Sequence, residues 1–187
     1  MSGLFKYIPN LLTWLRLAAA PAVALLLIGG NDRAALGVFA FAGLSDAADG
    51  FLAKRFGFAT RFGRYLDPAA DKFLMLASFL TLTVMGVAPL WLTVIVVGRD
   101  AAIVLGVVLA IWFEWPIRIA PLFVGKLSTA LQIGYVALAL VALSAGLDWS
   151  RWLHRMAVAT AAATLLSWLA YGQLLLKSIA QNRHRAV

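Results

Sequence analysis

The chain has 187 residues, of which 63% are hydrophobic and 13% charged, with a mean hydropathy of +0.90. Soluble domains carry about 25% charged residues, and a chain this short and this apolar cannot hide its surface in one water-soluble core, so the bilayer is its natural solvent. The net charge of +8 comes from bases lying mostly between apolar runs, which points to membrane topology and anionic lipid rather than nucleic acid, while the lack of cysteine removes disulfides and thiolate metal sites.

A spanning helix needs about 20 mostly apolar residues, and six stretches qualify: about 9–29, 35–57, 62–87, 89–113, 121–146 and 151–178. The first begins near Ile8 without the pattern of a cleaved signal peptide, carries Asn10, Thr13 and Arg16, and ends at Gly29-Gly30-Asn31-Asp32. The second carries Asp46 and Asp49 and runs into a short basic stretch around Gly57. The third carries Asp67 and Asp71, with Gly86 and Pro89 bracketing the gap that follows. The fourth contains Arg99-Asp100 and ends before Trp115-Pro116 and Pro121. The fifth opens with Lys126 and stops at Gly146-Leu147-Asp148, and the sixth carries the chain towards its end. The expected fold is all-α and integral to the membrane, a six-helix bundle forming a single domain over residues 1–187.

The bases orient this bundle. An even number of spans puts both termini on one side, with Lys6, Lys54, Arg55, Arg61, Arg64, Arg118, Lys126, Lys177, Arg183 and Arg185. The opposite side holds only Arg33, Arg151 and Arg155. The asymmetry places both termini and the loop between spans two and three in the cytoplasm. Trp14, Trp91, Trp112, Trp115, Trp149 and Trp152 lie near span ends, where interfacial anchoring accounts for them.

Five of the acids, Asp46, Asp49, Asp67, Asp71 and Asp100, sit within or at the ends of apolar runs. A carboxylate at bilayer depth is costly unless compensated. Asp46 and Asp49 are spaced i, i+3 and share a helix face; Asp67 and Asp71, at i, i+4, do the same on the next helix. A short turn near Gly57 makes these helices antiparallel neighbours, so both acidic faces can converge near the cytoplasmic end. Four carboxylates at one place repel each other unless a cation joins them. Hard oxygen donors suit Mg²⁺, Mn²⁺ or Ca²⁺ and argue against zinc or copper. They could hold two ions, the arrangement that clamps both sides of a phosphoryl-type displacement. Gly50, Ala53 and Gly63 keep the acidic face free of bulk, so a nucleotide or phosphate can approach the backbone. Lys54, Arg55, Arg61 and Arg64 gather at the same end and would attract a pyrophosphate.

The full string is Asp46-x2-Asp49-Gly50-x2-Ala53-Lys54-x8-Gly63-x3-Asp67-x3-Asp71. It resembles the CDP-alcohol phosphatidyltransferase family, whose pattern is D-x2-D-G-x2-A-R-x8-G-x3-D-x3-D. Seven of the eight fixed residues match, at every spacing; Lys54 stands where the family has Arg, keeping the charge but not the bidentate fork. Ile8-Pro9-Asn10-Leu11-Leu12-Thr13-Trp14-Leu15-Arg16 resembles the family's opening, and Gly125-Lys126-Leu127-Ser128-Thr129-Ala130-Leu131-Gln132 resembles its segment before the fifth span.

The resemblance implies six transmembrane helices, generally as a homodimer, and transfer of a phosphatidyl group from CDP-diacylglycerol to a hydroxyl with release of CMP. It implies metal ligation by Asp46, Asp49, Asp67 and Asp71, with two Mg²⁺ or Mn²⁺ ions expected, and makes Asp71 the base for the acceptor hydroxyl. Gly50, Ala53 and Gly63 would make room for the cytidine, Lys54 and Thr60 would contact the phosphates, and Asn10 and Thr13 would close the nucleotide pocket. No Cys nucleophile or Ser/His pair is available, and His154 and His184 read as solvated or interfacial, so direct attack by the acceptor is favoured.

Arg99 either neutralises Asp100 as an internal pair or lines the acceptor pocket, and the second reading is preferred. Arg16 faces the same choice, with snorkelling to the interface as a third option. Lys126 either holds an acceptor phosphate, the preferred reading, or caps the cytoplasmic end of span five. Two details bear on the acceptor: Arg99-Asp100 resembles family members that make cardiolipin, and Ser128 stands where glycerophosphate-using members usually carry a lysine. The expected acceptor is therefore phosphatidylglycerol, giving cardiolipin, with glycerol 3-phosphate as the alternative. A divalent-cation transporter is a remote alternative, disfavoured because the acids cluster near one end of two adjacent helices and no second half repeats them. A bacterial inner membrane or an equivalent is the expected location, with the active site facing the cytoplasm.

Overall fold

The computed structural model describes the backbone of residues 8–56, 63–112 and 122–183, and side chains over 13–46, 69–112 (107, 110 and 111 excepted) and 122–174. The described residues form six α-helices: α1 (Ile8–Ile28), α2 (Asp32–Phe56), α3 (Gly63–Val84), α4 (Leu90–Trp112), α5 (Phe123–Ala145) and α6 (Ser150–Arg183). The six expected stretches coincide with these helices to within a few residues. The sixth continues to Arg183, past the expected end at 178, because Lys177 and Arg183 are good helix formers and no Pro or Gly interrupts them.

The odd-numbered helices stop in one way. Gly30, Gly86 and Gly146 have φ of 74°, 74° and 64°. At each, the glycine N–H donates to the carbonyl three residues back, and the following N–H donates to the carbonyl five residues back: Gly30 to Leu27 and Asn31 to Leu26, Gly86 to Thr83 and Val87 to Leu82, Gly146 to Leu143 and Leu147 to Ala142. This is the Schellman cap, which satisfies the last carbonyls and turns the chain sharply. Each turn falls at a glycine where the sequence predicts a break.

The chain divides into two compact units, one of Met1–Ala88 with Val136–Trp149 and one of Pro89–Tyr135 with Ser150–Val187. In the first, α1 packs against both α2 and α3. Its core takes Ala20, Val23 and Leu27 from α1, Ala35, Phe39 and Ala42 from α2, and Ala70, Leu74, Phe79 and Leu82 from α3. In the second, α4 packs against α6.

Polarity is inverted relative to a soluble protein. Arg16, Ser78, Arg99, Ser128, Gln132, Thr160, Thr164 and Ser167 are buried, while Leu25, Ile28, Leu44, Val84, Leu90, Trp112, Leu166 and Leu169 are exposed. Water would penalise both halves of that distribution; a hydrocarbon solvent favours both, because polar groups must then find partners inside the protein. By length and composition alone, two of the described helical segments, Phe123–Ala145 and Ser150–Leu174, are apolar enough to cross a membrane.

Candidate active site

The site begins with a buried cation on α1. Arg16 lies one turn after Thr13, and the two are 2% and 3% exposed. A guanidinium so placed stays charged, so it needs carboxylates within reach. It finds one on each neighbouring helix: Arg16 Nη1 is 3.0 Å from Asp46 Oδ1 on α2 and 3.0 Å from Asp71 Oδ1 on α3. The two carboxylate oxygens are thus no farther apart than twice that distance. Asp46 belongs to the first half of the acidic motif and Asp71 to the second, so the fold brings one aspartate of each half to the same guanidinium. Snorkelling of Arg16 to the interface does not occur; it makes internal ion pairs with two carboxylates.

Arg16 itself is buried, whereas the Asp46 and Asp71 side chains are 48% and 43% exposed. The arginine therefore stands behind the carboxylates, on their protein side, and their accessible side faces away from the core. Asp49 follows Asp46 on α2 and Asp67 precedes Asp71 by one turn on α3; the side chains of Asp49 and Asp67 lie outside the described residues. Among the described residues no group of three or more acids and histidines gathers. For Asn10, Gly50, Ala53, Lys54 and Gly63 only the helical backbone is described, and Thr60 lies outside the described residues altogether.

The second unit holds a separate polar network. Arg99 on α4 is 4% exposed. Its Nη1 lies 2.7 Å from Asp100 Oδ1, its Nη2 donates to Ser167 Oγ at 2.9 Å, and its guanidinium sits over the Tyr171 ring, 5.6 Å from the centroid. This is the internal-pair arrangement, extended to two partners on α6. Tyr171 Oη also accepts the Leu122 N–H at 3.4 Å. Lys126 is exposed on the first turn of α5.

Gly125, its neighbour, is small for a geometric reason. A Cβ there would lie 3.0 Å from Tyr171 Oη, 3.2 Å from Tyr171 Cε2 and 3.3 Å from Arg99 Nη2.

Ser128 departs from expectation. It is fully buried, its hydroxyl 3.0 Å from Thr164 Oγ1, and it accepts from Gln132 Nε2 at 3.2 Å. It joins α5 to α6 and does not face an accessible acceptor site. Two further contacts complete the seam: Gln132 Nε2 donates to Thr164 Oγ1 at 3.3 Å, and Thr160 Oγ1 donates to the Leu131 carbonyl at 3.4 Å. The sequence does carry a signal for this seam: Thr160, Thr164, Ser167 and Tyr171 recur at helical spacing along the otherwise apolar middle of α6. The double pairing of Arg16 has no comparable signal.

Comparison with known proteins adds the following. The family model described as CDP-alcohol phosphatidyltransferase matches residues 6–170. The chain is 34% identical over 151 residues to a protein of Rattus norvegicus named cardiolipin synthase (CMP-forming), covering 72% of this chain and 50% of that protein. It is 34% identical over 171 residues to a probable phosphatidylglycerophosphate synthase of Mycobacterium tuberculosis, covering 84% of this chain and 74% of that protein. A chloroplastic CDP-diacylglycerol–glycerol-3-phosphate 3-phosphatidyltransferase of Oryza sativa is 30% identical over 186 residues, covering 90% of this chain and 56% of that protein. The chain spans about half the length of the rat relative.

Proposed function

Because the chain belongs to the CDP-alcohol phosphatidyltransferase family, we propose that it is an integral membrane enzyme that transfers a phosphatidyl group from CDP-diacylglycerol to an alcohol and releases CMP. The observation that carries this reading is the pairing of Asp46 and Asp71, from the two halves of the motif, with one buried guanidinium. A carboxylate from each of two helices, half-exposed and held close together, is a hard-oxygen donor set that fits a divalent cation. Asp46, Asp49, Asp67 and Asp71 would hold Mg²⁺ or Mn²⁺, in two positions, which when bound neutralises the pyrophosphate and polarises the attacked phosphorus.

The chain's own residues supply the rest. Gly50, Ala53 and Gly63 leave room for the cytidine, Lys54 and Thr60 contact the phosphates, and Asn10 and Thr13 close the pocket from α1. Asp71 takes the proton of the acceptor hydroxyl as its oxygen attacks the phosphorus. The new phosphorus–oxygen bond forms while the bond to CMP breaks, and CMP leaves with the electron pair. Lys126, exposed at the start of α5, meets an acceptor phosphate in this reading. A direct acceptor contact by Arg99 remains part of the proposal, although its described partners are internal.

All six helices cross the bilayer in this reading, with both termini and the site cytoplasmic, and the protein works as a homodimer in a bacterial inner membrane or its equivalent. The inverted polarity and six helices of at least 21 residues support it. Phosphatidylglycerol is the proposed acceptor and cardiolipin the product. Arg99-Asp100 and the rat relative favour this choice, whereas Ser128 no longer contributes to it because it is buried against α6. Glycerol 3-phosphate is the second reading, favoured by the broader coverage of the mycobacterial and rice relatives.

The test is an acceptor panel with purified protein and labelled CDP-diacylglycerol. The expected result is cardiolipin and CMP from phosphatidylglycerol. Product from glycerol 3-phosphate alone would overturn the acceptor, and no CMP release with any alcohol would overturn the reaction.

A further inference from the structure

We propose, on the basis of the transferase reading above, that Arg16 is a positioning residue for the reaction: a permanent cation behind the acidic motif that sets the distance and register between the α2 and α3 carboxylates. Three observations converge on it. Arg16 is 2% exposed and Nη1 lies 3.0 Å from both partners, so one nitrogen makes an ion-pair contact with a carboxylate on each of two helices. The helix that carries it is the one packed against both of the others. The two carboxylates stay about half exposed, so their accessible sides are turned away from the arginine and towards whatever binds.

A merely self-neutralising pair would need one aspartate, and it would be indifferent to which motif half supplied it. Arg16 instead takes one carboxylate from each half. Without it, like charges on α2 and α3 would face each other with nothing fixed between them, and the bound cation alone would have to draw the helices together. With it, the carboxylates are held before the cation arrives, as partners behind a metal site orient its ligands.

This separates two quantities that usually move together. Removing a positive charge from beside the carboxylates strengthens their attraction for a cation. Letting the same carboxylates drift weakens the chemistry, and a displacement of about 1 Å can cost on the order of 100-fold in rate. Arg16→Gln should therefore lower kcat by about that factor and leave KM for CDP-diacylglycerol close to that of the parent. Mn²⁺ binding, read as loss of the free-ion electron paramagnetic resonance signal in the absence of substrate, should be as tight as in the parent or severalfold tighter. Arg16→Lys keeps the charge on a shorter, point-like head, and its kcat should fall between the two.

Parallel loss of Mn²⁺ binding and turnover in the Gln variant would overturn the proposal, as would unchanged turnover. If the Gln variant does not fold in detergent, the Lys variant decides. Reduced kcat with parental Mn²⁺ binding supports positioning, and either parental kcat or a proportionate loss of both overturns it. The Mn²⁺ measurement needs no substrate. A protein that releases no CMP with any alcohol would sink the transferase reading, while the binding comparison between Arg16→Gln and Asp46→Asn would still report whether Arg16 supports the carboxylates or merely the fold.

Discussion

Asp46 and Asp71 share a counter-charge, and the proposed mechanism gives them different roles. Both pair with Arg16 at the same distance, yet only Asp71 is assigned the acceptor proton. Asp46→Asn should abolish turnover with Mn²⁺ binding lowered. Asp71→Asn should cost about 10²–10⁴-fold in kcat, the usual worth of a positioned base, with binding of CDP-diacylglycerol largely kept. Chelation with EDTA should silence the parent and Mg²⁺ restore it; full activity in excess chelator would remove the metal from the mechanism. Ser128 is the residue at which the structure changes the expectation. The sequence suggests that Ser128→Lys would improve use of glycerol 3-phosphate. With Ser128 fully buried and bonded to Thr164 and Gln132, a lysine there would bury an unpaired ammonium at a cost of several kcal/mol. The expected outcome is loss of monodisperse protein in detergent, and a well-folded variant with a new acceptor preference would reverse this correction.

Packing between helices rests on small and polar side chains. α5 and α6 are joined by hydroxyl and amide hydrogen bonds at Ser128, Gln132, Thr160 and Thr164. Gly134 also lies close to α6: a Cβ there would come within 2.9 Å of Met156 Cε, the end of a flexible side chain that can move aside. Gly125 is less forgiving, since its neighbours are a tyrosine that accepts the Leu122 N–H and a buried arginine with partners of its own. Gly125→Ala should therefore destabilise by about 1–3 kcal/mol, the usual cost of overpacking, seen as a lower unfolding midpoint in detergent. An unchanged midpoint would mean that Tyr171 and Arg99 can yield, and that the Gly-Lys segment has its glycine for another reason.

For the whole molecule, the connections carry the orientation. The helix pairs α1–α2, α3–α4 and α5–α6 are joined by short segments that begin at Schellman-capped glycines. Those between α2 and α3 and between α4 and α5 are longer and contain Arg61 and Arg118. If every helix crosses the bilayer, the two kinds of connection fall on opposite sides, with the basic kind inside. The chain has no cysteine, so Gly57→Cys gives a single reporter. It should resist an impermeant thiol reagent in intact cells and react after lysis; labelling before lysis would invert the topology.

The amino-acid sequence by itself determined the six helices, their breaks at Gly30, Gly86 and Gly146, and the placing of two aspartates on each of α2 and α3. These are local properties: apolar run length, a residue able to take positive φ, and spacing along one helix. That Asp46 and Asp71 approach one another was legible in part, from their spacing on successive helices, but the arginine they meet on α1 was not. What only the tertiary structure decided is which side chains meet across helices. Arg16 could have snorkelled, Arg99 could have paired with Asp100 alone, and Ser128 could have faced an acceptor. Instead Arg16 binds Asp46 and Asp71, Arg99 binds Asp100 and Ser167, and Ser128 closes on Thr164. The reason is the solvent. A helix in water announces its buried face by an apolar stripe, but a helix with apolar residues on its outer face as well as its inner one shows no such contrast. Its few polar residues then find partners only when the neighbouring helices are in place.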